Sequence, residues 1–164
     1  GKGTRPTSDK VREALFQLLK GREFSRVLDL FAGTGALGIE ALSRGAEEVT
    51  FVEKGRRALE ALRDNLRRVG MEEKGRVLPL DVRRALRLLA KEGGSFDLIL
   101  MDPPYLKGLA QRAIEDIPSF GLLREGGILV VEHSLREEIT PPKGLTLTER
   151  RRYGDTVLSL FTPP

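Results

Sequence analysis

Short apolar runs alternate with amphipathic segments along almost the whole chain, and this alternation constrains the fold more than any other feature. The runs lack the polar alternation of a half-exposed strand, so they are typical of strands that are buried on both faces. Strands that are separated by helices join in parallel, through right-handed crossovers. The predicted strands lie at residues 26–31, 49–52, 77–80, 96–101 and 127–132. We therefore expect an α/β fold with a doubly wound, mostly parallel sheet.

The segments between these strands carry apolar residues at helical spacing. The first helix is expected to start after Thr7 or Ser8, either of which can cap it, and to end at Gly21. Four further predicted helices lie at residues 36–44, 56–69, 82–91 and 109–117. This succession places a helix after each of the first four strands.

Two segments follow the last parallel strand. Residues 145–153 and 156–162 predict an antiparallel hairpin, because the Gly-Asp pair between them favours a turn. No repeat, linker or low-complexity tract interrupts the chain. We therefore expect one domain over residues 1–164, in which residues 1–21 form an N-terminal helical segment that leads into the sheet.

The composition limits the possible classes of protein. The 164 residues are 40% hydrophobic and 32% charged, which suits one soluble domain with a substantial core. Cysteine is absent, so disulfides and thiolate metal sites are excluded, and we expect no metal. No membrane span or signal peptide is visible, which predicts a cytoplasmic protein and, in our interpretation, a monomer. The net charge of +4 favours polyanionic partners such as nucleic acid.

A carboxylate, two prolines and an aromatic ring follow the fourth predicted strand, at Asp102, Pro103, Pro104 and Tyr105. Proline has no backbone N–H, so the chain must leave the sheet at Asp102. Ligands of open α/β sheets bind at this carboxyl edge. An acceptor carboxylate, a free proline carbonyl and a flat ring suit a planar base that bears an exocyclic amine. A simple Pro-Pro turn with an exposed tyrosine is the alternative.

A glycine turn follows the first predicted strand. Gly33, Gly35 and Gly38 match G-x-G-x-x-G, and Glu53 ends the next strand about twenty residues on. This pattern alone would fit a dinucleotide such as NAD. Asp29 argues against that ligand, because its charge within the strand would repel a pyrophosphate.

Asp29, Glu53 and Asp81 each end a predicted strand, on the same edge of the sheet as Asp102. Four converging carboxylates need a ligand that offsets their repulsion. S-adenosylmethionine offers an ammonium for Asp29, ribose hydroxyls for Glu53 and an adenine amine for Asp81, with Val82 packed nearby. Each charged hydrogen bond would contribute about 1.5–3 kcal/mol.

Several stretches together resemble the class I methyltransferases that modify exocyclic amines, and most closely the bacterial 16S ribosomal RNA guanine-N2-methyltransferase family. The stretches that carry the resemblance are residues 5–16, 28–43, 52–54, 102–105, 131–133 and 153–156. The Arg-Pro-Thr before the first helix, combined with Asp-Pro-Pro-Tyr, is more specific than the glycine turn. Members of this family usually begin with a further basic segment of strands, whereas only four residues precede Arg5 here.

The resemblance implies a Rossmann-like methyltransferase that uses S-adenosylmethionine to methylate the guanine N2 amine of 16S ribosomal RNA, or of the small subunit. Asp102 and the Pro103 carbonyl would accept hydrogen bonds from the amine, Pro104 would complete the motif, and Tyr105 would stack on the base. The other implied contacts are to the cofactor. They come from Arg5, Thr7, Phe31, Ala32, Gly33, Thr34, Gly35 and Lys54.

Three other functions stay open at this point. An adenine-N6 methyltransferase acting on DNA or RNA uses a similar Asp-Pro-Pro-Tyr, the glycine turn alone allows an NAD-binding oxidoreductase, and a non-catalytic RNA-binding assembly factor could keep the fold. His133, the single histidine, is interpreted as a packing or capping group. Arg150, Arg151 and Arg152 either meet phosphates or simply alternate on an exposed edge strand.

Overall fold

The computed structural model describes residues 8–104 and 108–164. Within these ranges the helices are α1 (Asp9–Leu18), α2 (Ala36–Ser43), α3 (Arg56–Arg68), α4 (Val82–Lys91) and α5 (Leu109–Ser119), and a 3-10 turn spans Glu72–Lys74. The strands are β1 (Arg26–Leu30), β2 (Glu48–Val52), β3 (Gly75–Leu78), β4 (Phe96–Met101), β5 (Leu123–Ser134), β6 (Thr146–Tyr153) and β7 (Thr156–Thr162).

The strands of the described residues form one sheet in the order β3-β2-β1-β4-β5-β7-β6. Strands β1 to β5 run parallel, and β7 is antiparallel to both β5 and β6. This arrangement confirms the predicted doubly wound sheet with its C-terminal hairpin. The strand order reverses between β1 and β4, so the ends of these two neighbouring strands open the crevice in which ligands of such sheets bind.

Helices cover both faces of the sheet. The strands require this cover because their apolar side chains point to both faces. Apolar residues of α1, α2 and α3 pack on one face, around Phe51 and Leu100. Those of α4 and α5 pack on the other face, around Leu30 and Met101. Side chains of successive strand residues alternate between these two cores. Polar groups therefore have room mainly where the strands end.

Two predicted strands differ from the observed ones by two residues or more. Strand β3 ends at Leu78 instead of Leu80, because Pro79 has no N–H to add to the ladder. Strand β5 begins at Leu123, before the Gly126-Gly127 pair that the prediction took as its start. The pairing of β4 with β5 shifts register in this part of the strands, so the glycines serve an irregularity within the sheet and not a turn before it.

Candidate active site

A cavity of about 1370 Å³ opens at the carboxyl edge of the sheet, beyond the ends of β1 and β4. It exceeds the volume of about 300–1,000 Å³ that is usual for small-molecule sites. Most of the predicted site residues line it. They are Asp29, Phe31, Ala32, Gly33, Thr34, Glu53, Lys54, Asp81, Val82, Asp102 and Pro104.

The remaining predicted residues fall into two groups. Gly35 and Pro103 are buried and are not among the residues that line the cavity. Arg5, Thr7 and Tyr105 lie outside the described residues, so their assignments stay predictions. The structure therefore gathers the glycine turn, the acidic strand ends and the start of Asp-Pro-Pro-Tyr around one space.

The glycine turn between β1 and α2 has an unusual backbone. Phe31 has φ +59°, a conformation that is rare for a bulky residue, and Gly33 and Gly35 also have positive φ. A Cβ on Gly35 would lie 2.3 Å from Cδ1 of Leu62, so only glycine fits between the turn and α3. None of the described residues lies within 4 Å of a Cβ built on Gly33, which lines the cavity. The turn thus presents its backbone to a ligand and packs its other side tightly.

Asp29 is a buried carboxylic acid in β1 that lines the cavity, with 1% of its surface exposed. Its Oδ2 accepts a hydrogen bond of 3.0 Å from the Gly38 N–H. Burial raises the pKa of Asp29 from 3.8 to about 8; the Gly38 hydrogen bond lowers it, and the nearby Asp102 and Glu53 charges raise it. A cationic ligand group would reverse this effect by stabilising the carboxylate.

Glu53 connects β2 to the glycine turn. One carboxylate oxygen accepts the Gly33 N–H at 2.8 Å, and the other accepts the Gly55 N–H at 2.7 Å. Each oxygen has a second lone pair, so the carboxylate can still accept hydroxyl donors from a ligand. The role that the sequence did not reveal is structural, because the Glu53 carboxylate fixes the turn by accepting the Gly33 N–H.

Asp81 caps α4, since its Oδ1 accepts the Arg84 N–H at 3.0 Å. This is the usual role of an acidic residue between a strand and a helix. Its side chain and the half-buried Val82 nevertheless line the cavity next to Glu53 and Leu80. Asp81 therefore combines a cap with a position from which its second oxygen can meet a ligand.

Asp102 and Pro104 line the cavity directly after β4. The charge of Asp102 contributes to the raised pKa of Asp29, which shows that the two carboxyl groups are close. Glu132, which is 1% exposed, follows Val131, the partner of Met101 in the register of β4 and β5. Asp102 and Glu132 therefore lie side by side at the carboxyl edge.

Asn65 and Arg112 are among the residues of the site that the sequence analysis missed. Asn65 of α3 donates a hydrogen bond of 3.0 Å to the carbonyl oxygen of Thr34 and so holds the glycine turn from outside. Arg112 of α5 lines the cavity on the side of Asp102 and Pro104. Local sequence gave no signal for either residue, because only the packing of the helices brings them to the site.

The side chains left unassigned in the sequence have structural contacts. His133 is buried, and its Nε2 lies 2.8 Å from Oγ of Ser159 on β7. Burial lowers the pKa of His133, which favours a neutral ring that links β5 to β7. Arg151 pairs with Glu149, and Arg152 donates to the Gly154 carbonyl on the exposed edge strand β6. None of these residues lines the cavity.

None of the helices in residues 8–104 and 108–164 combines the length and the apolar character that crossing a bilayer requires. No cluster of three or more acidic or histidine side chains in the same ranges is arranged to hold a metal ion.

A doubly wound sheet with a glycine turn after β1, a carboxylate after β2 and Asp-Pro-Pro after β4 defines a class I methyltransferase. The chain belongs to the protein family described as conserved hypothetical protein 95, whose profile matches residues 1–162. This assignment confirms the resemblance found in the sequence. It excludes the alternative that the glycine turn alone had left open, an NAD-binding oxidoreductase.

Relatives and solved structures agree with this assignment. The Bacillus subtilis protein YlbH is 38% identical over 98% of this chain and 89% of its own length. Ribosomal RNA small subunit methyltransferase D of Escherichia coli is 33% identical over 97% of this chain and 79% of its own length. The solved structure of a conserved hypothetical protein from Streptococcus pyogenes superposes on this chain with a TM-score of 0.84 and 33% sequence identity. The superposition covers 93% of this chain and 95% of that chain.

Proposed function

We propose that this protein transfers a methyl group from S-adenosylmethionine to the exocyclic N2 amine of a guanine in small-subunit ribosomal RNA. The observation that carries the proposal is the position of Asp102 and Pro104 in one cavity with the buried Asp29 and the glycine turn. Asp102, a hydrogen-bond acceptor for an amine, and Asp29, a carboxyl group that can bind a cation, thus lie in the same cavity. Relatives from Escherichia coli and Haemophilus influenzae, each 33% identical, are named ribosomal RNA small subunit methyltransferase D.

The acidic strand ends fit S-adenosylmethionine better than a phosphate-bearing cofactor. Asp29 is buried and close to two other carboxylates, so it favours an ammonium and disfavours an anion. Glu53 has lone pairs left for ribose hydroxyls, and Asp81 has one oxygen outside its helix cap. When bound, S-adenosylmethionine supplies an electrophilic methyl group.

Asp102 prepares the amine for methylation. The lone pair of a guanine N2 is delocalised into the ring, so the nitrogen is a weak nucleophile. A hydrogen bond from the amine to the Asp102 carboxylate localises that lone pair. The nitrogen forms its new bond to the methyl carbon as the bond from that carbon to sulfur breaks, with the electron pair left on sulfur. The nitrogen then gives up one proton, which Asp102 or solvent accepts. Orientation of the base contributes most of the rate, since good alignment is worth about 7–11 kcal/mol.

The size of the cavity supports two ligands. Its volume of about 1370 Å³ leaves space beyond a single small molecule. The region around Asp102, Pro104 and Arg112 lies away from Glu53 and Asp81, which we assign to the nucleoside part of the cofactor. A base extruded from a stack or a loop would enter there, and Tyr105 would stack on it with about 1–3 kcal/mol.

The experiment measures transfer of a labelled methyl group to undermethylated small ribosomal subunits, naked ribosomal RNA and DNA, followed by nucleoside analysis. N2-methylguanosine in the RNA is the expected product. N6-methyladenine would replace the proposal by the adenine-N6 reaction, which uses a similar motif. Cofactor binding without transfer to any of the three substrates would favour an RNA-binding assembly factor.

A further inference from the structure

Three exposed arginines lie in the first turns of the two helices that border the cavity beside β2 and β3. They are Arg56 and Arg57 of α3 and Arg84 of α4, and we call them the basic rim. Arg56 and Arg57 line the cavity, and Arg84 follows Arg83, which also lines it. Because the N-termini of both helices lie at the carboxyl edge, the three positive charges lie on the side where ligands enter.

The positions of these arginines are electrostatically unfavourable for the isolated protein. A helix N-terminus carries a partial positive charge, and a cation there costs about 0.3–1 kcal/mol. Neither α3 nor α4 has an acidic residue in its first turn, and Gly55 gives α3 no side-chain cap. The ion pairs within the described residues include none of the three. Fold stability therefore does not explain why arginine occupies these positions.

Glu53 and Asp81 beside the rim are engaged elsewhere, and the ion pairs within the described residues do not include the exposed Glu60, one turn after Arg56 in α3. Both oxygens of Glu53 accept backbone N–H groups, and Asp81 accepts the backbone N–H of Arg84 and not its guanidinium. Arg83 differs from its neighbour, because its Nε lies 3.8 Å from a carboxylate oxygen of Asp116. The rim charges thus remain available to an anion that arrives from solution.

The proposed cofactor cannot neutralise three arginines, since it has a single carboxylate and no phosphate. An RNA strand carries one phosphate for every nucleotide. We propose that the basic rim binds the phosphate backbone of the RNA strand whose target base enters the cavity. This inference rests on the proposed function. The arginines of β6 fit this role less well, because Arg151 and Arg152 already have protein partners and none lines the cavity.

The test compares two triple variants with the same change in charge. The rim variant is Arg56→Gln, Arg57→Gln and Arg84→Gln. The control variant is Lys20→Gln, Arg22→Gln and Arg68→Gln, three exposed cations at or near the opposite edge of the sheet. Affinity for an undermethylated small-subunit ribosomal RNA fragment is measured over a range of salt concentrations, and S-adenosylmethionine affinity is measured by calorimetry.

In the rim variant, the magnitude of the slope of log K for RNA binding against log salt concentration should be smaller by about two to three. This variant should also bind RNA at least about tenfold more weakly than the wild type at low salt. Its cofactor affinity should stay within about twofold of the wild type, and the control should keep the wild-type slope within about one. Arg84→Gln alone, at the rim residue that does not line the cavity, should reduce the slope by about one. Thermal unfolding should show both triple variants folded.

An unchanged slope in the rim variant would overturn the inference, and so would an equal loss in the rim and control variants. Loss of cofactor affinity in parallel with RNA affinity would also overturn it, because the rim would then belong to the cofactor site. The proposed function is judged separately, by methyl transfer from the wild type. If RNA binds with the expected slopes but no methylated product forms, the proposed reaction is refuted, and the inference that the basic rim binds RNA still holds.

Discussion

The backbone N–H of Gly38, in the first turns of α2, donates a hydrogen bond of 3.0 Å to Oδ2 of Asp29 in β1. This contact joins the third glycine of the turn to the first acidic strand end. A Cβ on Gly38 would lie 2.3 Å from Cε1 of Phe51 and 2.9 Å from that same Asp29 oxygen. The glycine is therefore required by the close approach of α2 to the sheet and not by its φ angle.

Gly38→Ala should destabilise the protein and weaken cofactor binding together. The added methyl group must displace either the Phe51 ring or the Asp29 carboxyl, and overpacking of this kind costs about 1–3 kcal/mol. Thermal unfolding and calorimetric titration with S-adenosylmethionine measure the two effects. Gly93→Ala is the control, since Gly93 has φ +75° but open space around its Cβ position. It should lower stability by about 1–2 kcal/mol and leave cofactor affinity unchanged.

Asp29 should make cofactor affinity depend on pH. Because burial raises the pKa of Asp29 to about 8, the group is largely protonated at neutral pH and must lose its proton to meet a cation. Affinity should therefore rise with pH up to about 8 and then level off, with a slope that approaches tenfold for each pH unit below 8. Cofactor binding below pH 8 should therefore release a proton from Asp29. Calorimetry in buffers of different ionisation enthalpy measures this release.

Asp29→Asn supplies the matching test. Asparagine keeps an acceptor for the Gly38 N–H but cannot titrate, so affinity should be weak and independent of pH. The stability effect has the opposite sign to that of an ordinary aspartate. The folded pKa lies above the unfolded value of 3.8, so the native state holds more protons and loses stability as pH rises from about 4 to 8. The variant should lack this loss, and an unchanged stability profile would contradict the raised pKa.

The sequence predicted the sheet because its signals are local. Apolar runs, a serine cap and proline positions fix where elements begin and end, and the Ser8 cap on α1 is observed as predicted, through a hydrogen bond to Val11 N–H. Predictions failed where distant contacts decide. The predicted helix at residues 56–69 extends one residue too far, since α3 ends at Arg68 and Val69 after it is 45% exposed. The hydrogen bonds of Glu53 to the turn likewise depend on the fold and not on spacing.

Asn65 illustrates the same limit at the site and leads to a further prediction. Its side-chain amide donates to the Thr34 carbonyl from a residue 31 positions away. Asn65→Ala should raise the KM for S-adenosylmethionine by about two- to tenfold, with little change in kcat, because one hydrogen bond contributes about 0.5–1.5 kcal/mol. Asn65→Asp should show the same loss, since aspartate keeps the volume but not the donor. Wild-type kinetics in both would show that Asn65 does not position the turn.

The positive φ of Phe31 predicts an inverted order of stability between two substitutions. At ordinary positions a glycine variant is less stable than an alanine variant by about 0.5–1 kcal/mol. At φ +59° alanine keeps the left-handed strain, whereas glycine relieves about 1–2 kcal/mol of it. Phe31→Gly should therefore unfold at a higher temperature than Phe31→Ala, although both lose the packing of the ring. The usual order would mean that the backbone relaxes once the ring is removed.

Asp102 should separate chemistry from binding. Asp102→Ala removes the proposed acceptor for the amine, so transfer should fall by at least about 10²-fold, within the range of general acid–base contributions. Cofactor affinity should not weaken, and it could increase slightly, because the Asp102 charge is one cause of the raised pKa of Asp29. Single-turnover methyl transfer and calorimetry measure the two quantities. Parallel loss of both would show that Asp102 supports the cofactor and not the amine, whereas an unaffected rate would move the catalytic acceptor elsewhere on the carboxyl edge.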